Sequence, residues 1–324
     1  VTTWLVTGGA GYIGAHVVRS LLQQGMTPVV LDDLSSGLAR FVPEGVAFIQ
    51  ADINDTDAVT AALIDHGCIG VIHVAGFKYA GVSVQRPLHT YTQNVTGTAS
   101  VLAAMEAAGV NHIVFSSSAA VFGTPDTELV TEESSTHPES PYGESKLIGE
   151  WLIADVARAR EGFTGVCLRY FNVVGSASDE VYDASPHNLF PLVIEALLAG
   201  KTPRINGVDY PTPDGTCVRD YVHVGDLADT HVAAARALEA GTPLKAAYNL
   251  GSGAGVSVRQ IMDAMAEVSG IPFTPEIADR RPGDPARIVA DGSAAAADLG
   301  WTMSYSLSEM VSTAWSARTA SGPA

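Results

Sequence analysis

Val6-Thr7-Gly8-Gly9-Ala10-Gly11-Tyr12-Ile13-Gly14 follows an apolar, strand-like opening and leads into a helical pattern, and Asp32 closes the next apolar run, residues 28–31. Strand, glycine turn, helix and acid in this order predict a dinucleotide site. Gly8 allows the tight turn, Gly11 lets backbone N–H groups approach a pyrophosphate, and Gly14 lets the helix pack close to the strand. The helix N-terminus adds partial positive charge. Asp32 then selects the cofactor. A carboxylate 18 positions after the last glycine accepts hydrogen bonds from a ribose 2′-hydroxyl and repels a 2′-phosphate, so NAD is favoured over NADP. The plainer alternative is a glycine turn in an ordinary α/β protein.

Outward from this stretch, strand-type runs alternate with helical ones: 4–7, 11–24, 28–31, 46–50, 55–66, 70–74, 88–108, 112–116, 142–160 and 165–171. Repeated βα units predict a Rossmann-type, doubly wound parallel sheet. Gly70-Val71-Ile72-His73-Val74 and His112-Ile113-Val114-Phe115 read as strands buried on both faces, with ligands at their carboxyl ends. Beyond residue 172 Pro and Gly punctuate the chain at 175–191, 200–215 and 270–285, and the helical runs shorten. The expected organisation is an NAD-binding domain, 1–172, and a smaller α/β substrate lobe, 173–324, partly interleaved with it.

Composition narrows the function classes. With 324 residues and 47% hydrophobic side chains the chain can bury a core in each lobe. No apolar run approaches the ~20 residues that span a bilayer, and the N-terminus reads as strand rather than as a signal sequence. Cys68, Cys167 and Cys217 form no C-x-x-C pair, which predicts no metal site and reduced thiols in a cytoplasm. The net charge of −17, with 18 dispersed Lys and Arg, argues against nucleic acid or an anionic membrane as partner. An anionic ligand must be held by local groups.

Such groups stand where strands end. Ser116-Ser117-Ser118 closes the fifth strand, and Tyr142-Gly143-Glu144-Ser145-Lys146 opens a long helix, with Ser140 as candidate N-cap and Pro141 as first residue. Tyr142 and Lys146, at i,i+4, share one helical face. An ammonium beside a phenol favours the phenolate, and the positive nicotinamide of NAD⁺ lowers the phenol further, which makes Tyr142 a general base near neutrality. Ser118 then holds the hydroxyl being oxidised. Taken singly, a Y-x-x-x-K helix face or a serine run is ordinary structure; taken with the glycine fingerprint the three form a catalytic set.

The glycine pattern, Ser118 and the Tyr142/Lys146 pair resemble the extended short-chain dehydrogenase/reductase superfamily, and longer strings resemble its UDP-galactose 4-epimerase family. The strings are residues 8–14, Ala75-Gly76-Phe77-Lys78, Ser83-Val84-Gln85-Arg86-Pro87, Asn94-Val95-Thr96-Gly97-Thr98, residues 115–119, 141–146, Leu168-Arg169-Tyr170-Phe171-Asn172, 209–224 and Tyr248-Asn249-Leu250-Gly251. By position, the resemblance implies that Tyr12, Ile13, Asp32, Asp52, Ile53, Ala75, Lys78, Asn94 and Phe171 line NAD. It implies that Asn172, Asn188, Leu189, Arg219, Arg281 and Asp284 surround the nucleotide diphosphate of a UDP-hexose. An arginine fork suits phosphate oxygens; the alternatives are a structural pair of Arg219 with Asp220 or Asp226, and simple turn chemistry at Asp284.

The implied reaction is NAD-dependent inversion of C4 in a nucleotide sugar, most simply UDP-glucose and UDP-galactose, through a transient 4-keto sugar. Dehydratases and decarboxylases of the superfamily carry an acid shortly after the strand-five hydroxyl, and here that stretch is Ser118-Ala119-Ala120-Val121-Phe122. Alternatives are 4-epimerisation of a UDP-pentose, a UDP-N-acetylhexosamine or a dTDP-sugar, net dehydrogenation with release of NADH, and a non-catalytic NAD-binding regulator. Several positions depart from the family pattern: Ala120 for threonine, Phe122 for tyrosine, Val82 for glutamate, Asn206 for an aromatic residue near the uracil, and a short 175–187 segment. Ile288 stands at the position that gates N-acetylated sugars. The resemblance also implies a homodimer through helices at 88–108 and 147–160.

Overall fold

The computed structural model describes residues 1–127, 129–280 and 285–321. Seven strands form its central sheet. Five come in sequence, β1 (Thr3–Thr7), β2 (Thr27–Asp32), β3 (Ala47–Gln50), β4 (Gly70–His73) and β5 (His112–Ser116); the others are Thr164–Tyr170 and Ala247–Leu250. From one edge the order is Ala247–Leu250, Thr164–Tyr170, β5, β4, β1, β2, β3. Every neighbour is parallel, with Leu5 in register with Val29 on one side and Val71 on the other. The chain winds outward from β1 to β3, then crosses back to β4. This reversal splays the loops after β1 and β4 apart and opens a crevice at the strands' carboxyl ends. The sheet is the doubly wound one expected.

Burial on both faces follows from strand alternation. Trp4, Val6, Val30, Ile72 and Val114 point to one side, against Val17, Val18 and Leu21 of helix α1 (Tyr12–Gln23) and Leu227 and Val232 of the Val224–Glu239 helix. Leu5, Val29, Val71, Ile113 and Phe115 point to the other, against Val59 and Leu63 of helix α2 (Thr56–Asp65) and Val101 and Met105 of the Gly97–Ala108 helix. Removing one such side chain to alanine costs about 2–5 kcal/mol, because lost burial adds to a cavity the neighbours cannot fill.

Two features differ from the sequence reading. The run 88–108, expected as one helix, is Pro87–Tyr91, a π-helical turn Thr92–Thr96, then Gly97–Ala108. The wider turn carries Asn94, whose buried amide is committed to the loop at Phe77; such bulges recur where a side chain must be aimed. The seventh strand, Ala247–Leu250, is not among the runs that read as strands, though it comes from beyond residue 172 in keeping with interleaved lobes. Small pairings follow in the second half: Asn172–Val174 with Tyr221–His223, Val218–Arg219 with Arg287–Ala290, and Arg204–Asn206 with Glu276–Ala278 are parallel, and Val218–Arg219 with Val256–Ser257 is antiparallel.

Candidate active site

The turn after β1 is built from backbone. Gly8, at φ 71°, donates its N–H to Leu31 O (2.8 Å) and accepts from Gly11 N (3.1 Å). A Cβ on Gly8 would lie 2.7 Å from Ala75 N, and one on Gly14 would lie 2.1 Å from Gly8 O. Helix α1 starts from Gly11 with no side chain on its first amides, so its positive end opens into the crevice. At the end of β2, buried Asp32 accepts Ala10 N (3.0 Å) on one oxygen and Leu34 N (2.8 Å) on the other. Burial pushes its pKa up while the two amides oppose. With Asp33 alongside, this corner fits a ribose diol and rejects an added phosphate. Glycine cradle, open helix end and carboxylate together fit a dinucleotide.

One cavity of about 710 Å³ runs from this corner across both halves, a size ordinary for a ligand site. Gly8, Gly11, Tyr12, Ile13, Gly14, Asp32, Asp52, Ile53, Ala75, Lys78 and Phe171 line it, as do Tyr142, Lys146, Asn172, Asn188, Leu189 and Arg219. Ser118 and Asn94 are not among the lining residues, but the Ser118 hydroxyl is hydrogen-bonded to the Tyr142 phenol, which is. Asn94 braces the wall: Oδ1 accepts Phe77 N (2.6 Å), and Nδ2 donates to Phe77 O (3.0 Å) and Ser145 Oγ (2.8 Å). Asp52 forms a turn with Asn54, whereas the cap of α2 is Asp55, which accepts Ala58 N (3.0 Å). Arg281 and Asp284 lie outside the described residues. Among the described residues no group of three His, Cys, Asp or Glu could hold a metal ion.

The helix Pro141–Ala159 presents Tyr142 and Lys146. Ser140 Oγ accepts Gly143 N (3.2 Å) and Pro141 is its first residue, while Ser83 Oγ accepts Tyr142 N (3.1 Å). Buried Lys146 donates from Nζ to Ser116 O (3.0 Å) and stands 6.0 Å from the Tyr142 ring centroid. Burial lowers its pKa to about 8. The expectation that Tyr142 is acidified is corrected for the protein alone: burial pushes the phenol up, and the neighbouring Ser118 hydroxyl only opposes this. The reason is that Lys146 is bonded to a carbonyl rather than to the phenol oxygen, so desolvation of the phenolate dominates.

On the facing wall, Asn172 Nδ2 donates to Asp220 O (3.0 Å), and Asn188 Nδ2 to Asp183 Oδ2 (2.8 Å). Arg219 donates to Val218 O (2.9 Å). The carboxylates weighed as its structural partners serve backbone amides: Asp220 takes Ser252 and Ala290 N–H, and Asp226 takes Ser304 N–H. Asn206 lines the cavity with Arg204, and Ile288, at the position of the implied gate, is buried and stands in register with Arg219, which also lines it. Sequence reading missed Tyr79, Tyr170 and His187, which also line it. Tyr170 ends a strand at its carboxyl edge, a signal that was available; the other two sit in loops without a motif.

The family model described as "NAD dependent epimerase/dehydratase family" matches residues 4–251. The chain is 42% identical to the UDP-glucose 4-epimerase of Bacillus subtilis over 324 aligned positions, covering 96% of this chain and 95% of that protein. Its fold is similar to the crystal structure of UDP-glucose 4-epimerase from Brucella ovis in complex with NAD, with a TM-score of 0.93, 37% identity, and 97% and 98% of the two chains covered. The enzyme from Bifidobacterium longum in complex with NAD+ and UDP gives a TM-score of 0.89 at 36% identity, with 98% of each chain covered. Glycine turn, parallel sheet, Tyr142/Lys146 helix and overall likeness agree: the chain belongs to the NAD dependent epimerase/dehydratase family.

Proposed function

We propose that this protein is an NAD-dependent 4-epimerase that interconverts UDP-glucose and UDP-galactose. The observation that carries the reading is the single cavity in which the glycine turn and Asp32, the Tyr142/Lys146 pair, and Arg219 with Asn172 and Asn188 face one another. It is supported by the UDP-glucose 4-epimerases to which the chain is similar. Bound between Gly8–Gly14 backbone and Asp32, NAD supplies a reversible hydride acceptor and a positive ring. That charge meets the deficit left by burial at Tyr142.

Tyr142 takes the proton of the sugar O4 as C4 is oxidised and returns it when C4 is reduced. Lys146, held by Ser116 O, keeps positive charge near the phenolate, and Ser118 steadies the O4 hydroxyl. Arg219, with Arg281, clamps the diphosphate, and Asn172, Asn188, Leu189 and Asp284 hold the remainder of the nucleotide. The 4-keto sugar can then turn over its other face without leaving. After Ser118 the chain folds into the short turn Ala119–Phe122, with Val121 and Phe122 fully buried and no carboxylate, which favours oxidation and return over loss of water.

Incubation with UDP-galactose without added NAD tests the reading. UDP-glucose is the expected product, by chromatography; no conversion with or without NAD overturns it. We assign the two lobes as 1–172 and 173–324, with Ala247–Leu250 returning to the first. Leu88 (80% exposed) and Trp151 (57%) lie on the two helices that we assign to a homodimer, and three free, buried thiols suit a cytoplasmic compartment.

A further inference from the structure

Each serine of the run Ser116-Ser117-Ser118 meets the helix Pro141–Ala159. Ser116 O accepts Lys146 Nζ (3.0 Å), and the Ser118 hydroxyl bonds to the Tyr142 phenol. The middle serine does not line the cavity. Its buried hydroxyl donates to Glu150 Oε1 (2.5 Å), and its N–H donates to Leu168 O (2.9 Å), which carries the strand pairing one residue past Ser116. Glu150 stands one turn beyond Lys146 on the same helical face, at i,i+4. A planar fork takes both of its oxygens: Arg169 donates from Nε to Oε1 (2.9 Å) and from Nη2 to Oε2 (2.6 Å), and both side chains are buried. Arg169 lies on the strand Thr164–Tyr170, immediately before the cavity-lining Tyr170, Phe171 and Asn172. Its guanidinium also stands 5.2 Å from the ring centroid of Phe122, which ends the short turn after Ser118.

Apolar side chains of similar volume often hold a fold as well as a buried ion pair does; what they lack is a fixed direction. Lys146 does not supply one either, because its flexible stem can follow the Ser116 carbonyl through a small shift of the helix. A carboxylate held by an arginine fork and by the Ser117 hydroxyl has one place. Pinned there, about 12 Å along its axis from Tyr142, the helix can neither slide nor turn against the end of β5. Neither Glu150 nor Arg169 lines the cavity. Resting on the epimerase reading above, we infer that Glu150 and Arg169 are positioning residues: through Ser117 they fix where the catalytic helix docks on β5, and so where the Tyr142 phenol stands relative to Ser118 and the sugar O4.

The test measures kcat and KM for UDP-galactose, NAD content and melting temperature in the wild-type holoenzyme and its variants. Ser117→Ala leaves the ion pair whole and breaks only its tie to β5, so kcat should fall about tenfold while KM and NAD content stay at the wild-type level. Glu150→Gln should lower kcat about 10²-fold, the scale of an ångström-sized misplacement. Arg169→Lys, which keeps the charge and loses the fork, should fall between the two. Glu150→Leu combined with Arg169→Met removes both charges at similar volume: its melting temperature should rise above that of Glu150→Gln, back toward the wild type, while kcat stays about 10²-fold down. A kcat that recovers together with the melting temperature in the double variant, a loss carried by KM or by departure of NAD, or wild-type kcat in Ser117→Ala overturns the inference and leaves the epimerase reading intact. A wild-type holoenzyme that converts no UDP-galactose overturns both.

Discussion

The cofactor wall and the nucleotide-sugar wall of the cavity are built from different materials. The first is backbone: Gly8 turns at φ 71°, Gly14 sits where a Cβ would be 2.1 Å from a carbonyl, and bare amides open at the start of α1. The second is side chain: Arg219, Asn172 and Asn188 on short strands and loops, each already bonded to its own surroundings. Recognition by backbone demands missing side chains at fixed spacing, so it leaves a pattern in the sequence. Recognition by side chain demands only that some suitable residue arrive, and many placements will serve. The first wall should fail abruptly when altered, and the second by degrees.

The largest effect is expected where the walls meet. Tyr142→Phe removes the group proposed to move the O4 proton, and a loss of about 10³-fold or more in UDP-galactose turnover is expected while NAD content stays at the wild-type level. Comparable turnover in that variant would remove Tyr142 from the mechanism. Next comes Gly14→Ala. Its Cβ meets backbone, not a pliable side chain, so strain of about 3 kcal/mol and purification without NAD are expected, read from the melting temperature and the ultraviolet spectrum. An alanine variant that retains NAD and melts like the wild type would mean the cofactor wall is more compliant than its glycines imply.

Arg219→Ala should act more gently and on the other wall alone. An increase of about 10- to 100-fold in KM for the UDP-sugar, with NAD content unchanged, is expected from losing a phosphate fork. Parallel loss of NAD would show that the walls are not separable.

This contrast also explains what could be read from the chain. Gly8, Gly11, Gly14, Asp32, Tyr142 and Lys146 were legible because each belongs to a motif whose spacing is imposed by turn or helix geometry. The return of Ala247–Leu250 to the sheet was not, since the partner of a buried strand is chosen by non-local packing. Nor was the ionisation of Tyr142, which depends on where Lys146 Nζ points and not on the i,i+4 spacing alone. Tyr79 and His187 left no trace because two loops brought together carry no common period.

One residue joins the two halves of the chain and gives a smaller, pH-dependent effect. His16, on α1, accepts Ala177 N (3.1 Å) at Nε2, so its proton is on Nδ1, which donates to Tyr12 O (2.8 Å). Burial lowers its pKa from 6.5 to about 4. The unfolded chain therefore takes up a proton below pH 6.5 that the folded protein refuses until about pH 4. Stability from this histidine is complete above pH 6.5 and is lost as pH falls toward 4, at about 1.4 kcal/mol per pH unit. Denaturant unfolding at pH 6.5 and 5.5 should show His16→Gln losing less than the wild type by about 1 kcal/mol, since the unfolded imidazole is already half protonated at pH 6.5; equal losses would place the acid sensitivity elsewhere.

The smallest effect tests whether the nucleotide wall is as tolerant as its construction implies. Asn206 lines the cavity beside Arg204 on a three-residue strand, at the place where an aromatic ring was expected near the uracil. A ring there would lie against the base by stacking, worth about 1–3 kcal/mol per base where such platforms are complete, whereas an amide offers only hydrogen bonds that water matches. Because the strand is short and half-buried, Asn206→Phe must bring its own packing, and only part of that gain should survive. A fall of about threefold in KM for UDP-galactose, with kcat and NAD content unchanged, is therefore expected. A larger fall would mean that the wall is preformed for a ring it lacks, and a rise would mean that the Asn206 amide itself reads the base, making this loop as exacting as the glycine turn opposite.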